Sequence, residues 1–379
     1  MDDRRPSLAV MTEPSGMIPP DEVCTTRLGR PFAAMPAVDD TLFNSTANTM
    51  RSTQSAVSPP DDFDEGNDIG SFQSSLTSVT SSILHGVVGE GQRVYAAYGK
   101  EEYGLPMDDQ ELDRMDLCHT KYYALLKQRR FLSPIGENPQ RILDLGCGTG
   151  IWCVEVADDY PGAQVVGVDI APTQPQWVPP NCQFELDDIE QNWTWKSDSA
   201  DFIFSRDLIL SIRNFPRLID QAYRHLKPGG WVEFQCYTGL LHCDDGTLSE
   251  ESTFRNWANL TKTACERFGT PVDDPTRFKQ WFEERGFECV TEEVYKMPCT
   301  PWAKDQRLKL IGAWEQHNLM NHLEGMTMRL FQKSLGWTEE EILVISAMLR
   351  KELRDLGVHA YWPYYVVYAR KPVRPTGQS

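Results

Sequence analysis

The stretch "RILDLGCGTG" at 141–150 constrains this chain more than any other. Ile142, Leu143 and Leu145 read as a buried strand, and Gly146, Gly148 and Gly150 follow at alternate positions. Glycine lacks the Cβ atom that would hold a backbone away from a ligand, and it reaches left-handed conformations without steric cost. A strand that runs into such a loop marks an open α/β sheet, in which ligands bind at the carboxyl ends of the strands. Loops of this kind often cradle phosphate at a helix N-terminus. Here the order is G-x-G-x-G rather than the dinucleotide order G-x-G-x-x-G. Asp144 also closes the strand just before the loop. A carboxylate repels a pyrophosphate and attracts a sulfonium or an ammonium. The pattern therefore points to S-adenosyl-L-methionine ahead of a nicotinamide cofactor.

The rest of the chain alternates. "AQVVGVDI", "CQFELDDI", "ADFIFSRD" and "WVEFQCY" read as further strands. "IWCVEVADDY" reads as a helix ended by Pro161-Gly162, and "FPRLIDQAYRHL" as a helix stopped by Lys227-Pro228-Gly229-Gly230. Strands separated by helices at this spacing predict a parallel sheet covered on both faces. Asp169 ends the second strand, 19 residues past Gly150, where a carboxylate can accept both ribose hydroxyls. NAD sites share that feature. Asp187 and Asp188 end the third strand; Asp188 can take the exocyclic amine of adenine while the N–H of Ile189 meets a ring nitrogen. Later come a helix at "TRFKQWFEERGF", a strand at "ECVTEEVYKMP", amphipathic helices at about 303–325 and 338–356, and a closing strand "YYVVYARKP". Before the first strand, Asp108 or Asp109 can cap a helix through Leu112, Met115, Leu117, Tyr122 and Leu126, with charges between them.

The domain expectations are an acidic, disordered Ser/Thr/Pro-rich tail at 1–75, a helical lid segment at 76–140, a cofactor-binding core at 141–300, a helical cap insertion at 301–360, and a closing strand and tail at 361–379. The tail is expected to be disordered because residues 1–80 carry twelve acids against five arginines and few apolar side chains to bury. The net charge of −18 argues against nucleic acid as a partner, since phosphate-backbone binding needs a basic face. With no run of 18 apolar residues and no apolar N-terminal stretch, neither a membrane partner nor a secretory signal is expected. The ten cysteines contain no C-x-x-C pair and are expected to be reduced thiols, with no metal site.

"LDLGCGTGIW", "VVGVDIAPTQP", "DDIEQNW", "QAYRHLKPGGWVEFQ" and "HAYWPYYVVYARKP" resemble the fungal LaeA-like methyltransferases of the class I S-adenosylmethionine-dependent superfamily. "YAAYGKEEYGLPMDDQELDRMDLCH" resembles the segment that precedes the fold in that family, so the likeness spans roughly 80–373. The resemblance implies a Rossmann-like α/β class I methyltransferase fold: a seven-stranded, mostly parallel sheet with helices on both faces and a helical cap. It implies Asp144, Gly146, Gly148, Asp169, Asp188 and Ile189 as cofactor contacts. It also implies methyl transfer to a small molecule, in secondary metabolism. The alternative is a nuclear regulator of secondary-metabolite genes that works through protein partners. The first reading expects a cytoplasmic protein, the second a nuclear one. Two positions depart from the family: Cys236 replaces the second acid of W-x-E-x-Q-E, and Arg206-Asp207 follow the fourth strand.

Methyl transfer needs chiefly positioning, with a base only when the acceptor must lose a proton. His119, in the lid segment, is the candidate base or acceptor contact. Tyr95, Tyr98 and Tyr103 either close the methionine end or pack. Glu233 faces either the site or the core edge, Cys147 reads as a small filler, and Trp302, Trp314 and Trp337 belong to the roof.

Overall fold

The computed structural model describes residues 81–99 and 102–373, so the expected tail at 1–75 lies outside the described residues. A helical turn at Ser81–His85 and a two-residue hairpin, Val87–Val88 with Val94–Tyr95, open the described chain. The main sheet holds β1 (Arg141–Leu145), β2 (Gln164–Asp169), β3 (Cys182–Leu186), β4 (Ala200–Arg206), β5 (Leu226–Tyr237), β6 (Glu288–Pro298) and β7 (Tyr361–Arg370). Its order is β3-β2-β1-β4-β5-β7-β6, parallel throughout except that β7 runs antiparallel to both neighbours. Strand order reverses between β1 and β4, and a crevice opens there at the carboxyl ends.

The helices are α1 (Asp109–Leu125), α2 (Ile151–Asp159), α3 (Phe215–His225), α4 (Thr253–Phe268), α5 (Phe278–Arg285), α6 (Gln306–Leu335) and α7 (Glu339–Glu352). Trp152 of α2 stacks on Phe204 of β4 at 4.0 Å, and Phe278 and Phe282 of α5 pack on Phe234 of β5. Helices α1, α4, α6 and α7 pack together as a roof beyond the strand ends.

Several elements differ from the sequence expectation. The first cap helix does not stop near 325 but runs 30 residues, from an Asp305 cap to Gly336 at φ +72°. Helix α4 was not anticipated, although Ser252 caps it and Gly269 ends it at φ +92°. Lys227-Pro228-Gly229-Gly230 end α3 but lie inside β5, whose pairing with β4 is irregular between Ala200 and Phe202. In α1, Asp108 is the cap, accepting from Glu111 N. The charges of α1 do not all face solvent: Glu111, Arg114 and Lys121 are buried, because roof and crevice cover opposite sides of the helix. Each is paired, as buried charges must be. Arg114 donates to Glu111 at 2.7 Å, and Lys121 to Glu315 of α6. Glu233 faces the core edge, accepting from Leu132 N, Ser133 N, Ser133 Oγ and Gln235 Nε2, and so fixes the loop entering β1.

Candidate active site

The three loop glycines have φ of +70°, +55° and +78°, the left-handed region that favours glycine. Their surroundings differ. A Cβ on Gly146 would lie 2.3 Å from Leu208, and one on Gly150 would lie 2.4 Å from Phe184, so these two allow close packing. A Cβ on Gly148 would meet only Met115 Sδ, at 3.1 Å. That position opens on the crevice.

Asp169 holds the loop: its Oδ2 accepts from Gly148 N at 2.8 Å and its Oδ1 from Ala171 N at 3.0 Å. Burial raises its pKa against these N–H groups. Asp188 accepts from Glu190 N at 3.0 Å and Gln191 Nε2 at 3.1 Å. Asp187 accepts from Asp188 N at 2.8 Å and from the Tyr98 hydroxyl at 3.5 Å. Asp169, Asp187, Asp188, Ile189 and Ser211 line a cleft of about 560 Å³. A second cleft of about 610 Å³ is lined by Gly148, Arg114, His119, Arg206 and Asp207. The two share Tyr103, Gly146, Asp169, Leu208 and Ser211 and form one trough.

Asp144 is not part of that trough. Strand alternation turns it with Ile142 toward α2, where its Oδ2 accepts from Cys153 Sγ at 3.1 Å. Burial pushes its carboxyl up to about 7. The expected approach of Asp144 to a sulfonium is therefore corrected: among the described residues, Asp169 and Asp207 are the carboxylates at that end.

His119 does line the trough, with both ring nitrogens engaged. Arg206 Nη2 lies 2.9 Å from Nδ1, and Glu155 Oε2 lies 3.1 Å from Nε2. A guanidinium only donates, so Nδ1 accepts and the ring proton sits on Nε2, facing Glu155. Burial lowers the His119 pKa, and the ring is neutral at pH 7. Glu155 is disfavoured by burial, but His119 and Arg130 outweigh that and hold it at about 2. Asp207, at φ +58°, accepts the Tyr122 hydroxyl at 2.7 Å on Oδ2, while its buried Oδ1 has no partner. The sequence singled out Arg206-Asp207 only as a departure from the family and did not single out Arg114 or Tyr122.

Other candidates serve structure. Tyr95 is buried beneath Arg329, whose guanidinium lies 3.3 Å from the ring centre. Burial pushes the Cys147 thiol up to about 11, away from nucleophilic character. Cys236 is buried in the core. Trp302 donates to Ala360 O, and Trp337 packs edge-on against Phe331. Instead, Tyr237, Trp257 and Trp362, with Ile209, Leu210 and Leu319, wall a chamber of about 500 Å³ beneath the roof. The segment after β4 contributes to both linings, Ile209 and Leu210 to the chamber and Leu208 and Ser211 to the trough.

Residues 118–292 match a family described as a methyltransferase domain. The methyltransferase pytC of Aspergillus terreus is 37% identical over 322 residues, 84% of this chain and 99% of that protein. The secondary metabolism regulator laeA of Aspergillus fumigatus is 36% identical over 287 residues, 75% of this chain and 76% of that one. A probable methyltransferase tdiE of Emericella nidulans is 33% identical over 267 residues, 70% of this chain and 84% of that one. The chain belongs to the LaeA-like methyltransferases. Its sheet order and glycine loop are those of the Rossmann-like class I fold, and its cofactor is S-adenosyl-L-methionine. The trough fits that cofactor. This methyltransferase carries along the trough carboxylates that suit hydroxyls and an amine, a glycine with no side chain, and both signs of charge, which suit a zwitterion. Among the described residues no helix is long and apolar enough to cross a membrane, and no group of acids, histidines and cysteines could hold a metal.

Proposed function

We propose that the protein methylates a small organic molecule seated in the roofed chamber, as a cytoplasmic tailoring step of secondary metabolism. The observation that carries this reading is the chamber's lining, aromatic and aliphatic and covered by α4 and α6. Small-molecule pockets have a lining of this kind. A polypeptide acceptor would need an open groove.

When bound, the cofactor supplies an electrophilic methyl group on a sulfonium. The protein's own groups bind, orient and exclude water. Asp169 would hold the ribose, and Asp188 and the N–H of Ile189 the adenine. Arg114 and Arg206 would face the methionine carboxylate, and Asp207 its ammonium. Residues 86–99 and 102–107 form a strap over the trough, fastened by Arg329 of α6. Arg329 bonds Glu90 at 2.7 Å and the Tyr103 carbonyl at 3.0 Å. His119 orients Arg206, and its ring becomes available as a base only when Arg206 releases Nδ1.

Untargeted metabolite profiling of a strain lacking the gene tests the reading. One accumulated compound lacking a methyl group is the expected result. Broad loss of many metabolites would favour the second reading, a nuclear regulator, which the laeA relatives support.

A further inference from the structure

The roof carries a groove that shares no lining residue with the trough or the chamber. It measures about 700 Å³ and lies between α4 and α7. One wall is Thr253, Asn256 and Asn259, at steps of three on α4, whereas Trp257 and Ala258 of the same helix line the chamber. The other wall begins at Trp337, just before α7, and continues along that helix through Glu340, Val344 and Met348, which recur at steps of four and so share one face.

That face departs from the usual pattern. A surface helix turns its apolar residues to the core and its polar ones to water. Helix α7 buries Ile342, Ile345 and Leu349, yet it leaves Val344 and Met348 60% and 54% exposed. Apolar side chains scattered singly over a surface need no explanation, but these two stand one turn apart on the wall of a groove. Covering them would take apolar surface out of water, the usual drive for association.

Charge indicates what covers them. Glu250, Glu251, Glu340 and Glu341 line the same groove, and no lysine or arginine does among the described residues. Glu250 lies 3.5 Å from Arg255, and Glu341 closes the capping box with Thr338. Glu251 and Glu340 are both exposed, and no cation neutralises them within the lining. A second copy docked here about a two-fold axis would set these glutamates against one another. Nucleic acid and anionic lipid would be repelled in the same way. A groove between two helices that is both apolar and acidic matches a helix with apolar anchors one turn apart and cations beside them.

We propose that this groove docks a partner protein through a basic amphipathic helix, laid between α4 and α7 with its apolar face on Val344 and Met348 and its cations toward Glu251 and Glu340. The protein then has a second recognition surface, for a polypeptide, separate from the site of methyl transfer.

The test uses the full chain and two synthetic capped helices of about fourteen residues, roughly four turns. One is built of leucine and lysine in amphipathic order; the other has every lysine replaced by glutamate. By calorimetry the lysine helix should bind, more weakly as salt rises, and the glutamate helix should not. Val344→Ser combined with Met348→Ser should weaken binding by roughly tenfold or more. Glu251→Gln combined with Glu340→Gln should weaken it less and flatten the salt dependence. All four positions are exposed, so the Tm of both variants should change little. Glu283→Gln combined with Glu284→Gln, on α5 outside the groove, controls for the net charge of −18 and should leave binding unchanged. The proposal is overturned by affinity unaltered in both groove variants, by an equal loss in the α5 control, by equal binding of the glutamate helix, or by no binding of either helix. Self-association in sedimentation that Val344→Ser with Met348→Ser abolishes would make a second copy the occupant and overturns it as well.

Discussion

Gly148 and Asp144 stand four positions apart and act on opposite sides of the loop. At Gly148 a side chain would take left-handed strain, roughly 1–2 kcal/mol, and would project into the trough beside Met115. Gly148→Val should therefore fold with modest loss and fail to bind S-adenosylmethionine by calorimetry; normal binding would remove the loop from the cofactor site. Asp144 calls for a pH experiment. Its folded pKa of about 7 lies above the unfolded value of about 3.9, so the folded state holds the proton more tightly. That contribution is complete below about pH 4 and is lost as pH rises toward 7. Asp144→Asn should accordingly gain on the native protein between pH 4 and 8, by something on the order of a few kcal/mol in denaturant unfolding. A difference that does not vary with pH would mean an ionised, well-paired Asp144. His119→Ala should reduce kcat by less than the roughly 10²–10⁴-fold of a lost general base, and the pH–rate profile should keep its shape between pH 6 and 8. Loss of a limb in the histidine range would instead make His119 the base. Asp144 was legible as a residue near the ligand and illegible in its direction, because strand alternation decides which face a side chain takes.

At the scale of elements, the strap and α6 depend on two glycines and two arginines. A Cβ on Gly89 would lie 2.8 Å from Arg329, and one on Gly325 would lie 2.4 Å from Arg93. Arg93 itself grips Asp108 through two bonds of 2.6 Å. Arg329→Ala should raise amide exchange selectively in the segment from Gly86 to Met107 and weaken S-adenosylmethionine binding, with exchange in β1 and β2 unchanged. Uniform change over the whole protein would show that Arg329 supports the fold at large. The same glycine explains a misread boundary. The expected helix end near 325 falls on Gly325, and glycine costs about 1 kcal/mol inside a helix. Tertiary packing overrides that cost, since a side chain there would exclude Arg93. Helix α4 had readable caps in Ser252 and Gly269 and a buried series of Phe254, Trp257 and Ala258, so its signal was present in the sequence.

For the whole molecule, the trough was legible in the sequence and the roofed chamber was not. Gly148, Asp169 and Asp188 fall within a short run of chain, where loop chemistry and strand ends are local signals. The chamber is built from Tyr237, Trp257, Asn318 and Trp362, which no periodicity connects and only the folded roof assembles. The sheet and both cavities lie within 81–373, and residues 1–70 are poor in core-forming side chains. A protein lacking 1–70 should keep a cooperative thermal transition and full S-adenosylmethionine affinity; loss of either would place part of that segment in the fold.

The position of β7 has a bearing on synthesis. This strand, Tyr361–Arg370, comes last in sequence among the seven of the main sheet and enters it between β5 and β6. Residues are made in order, so β5 emerges with a bare edge and β6 with no neighbour until residues 361–370 have left the ribosome. An unpaired edge is a template for pairing with other chains. During that interval the edge is open to such pairing, and a premature stop a few codons before 361 should yield an aggregating product although every residue of the trough had been translated.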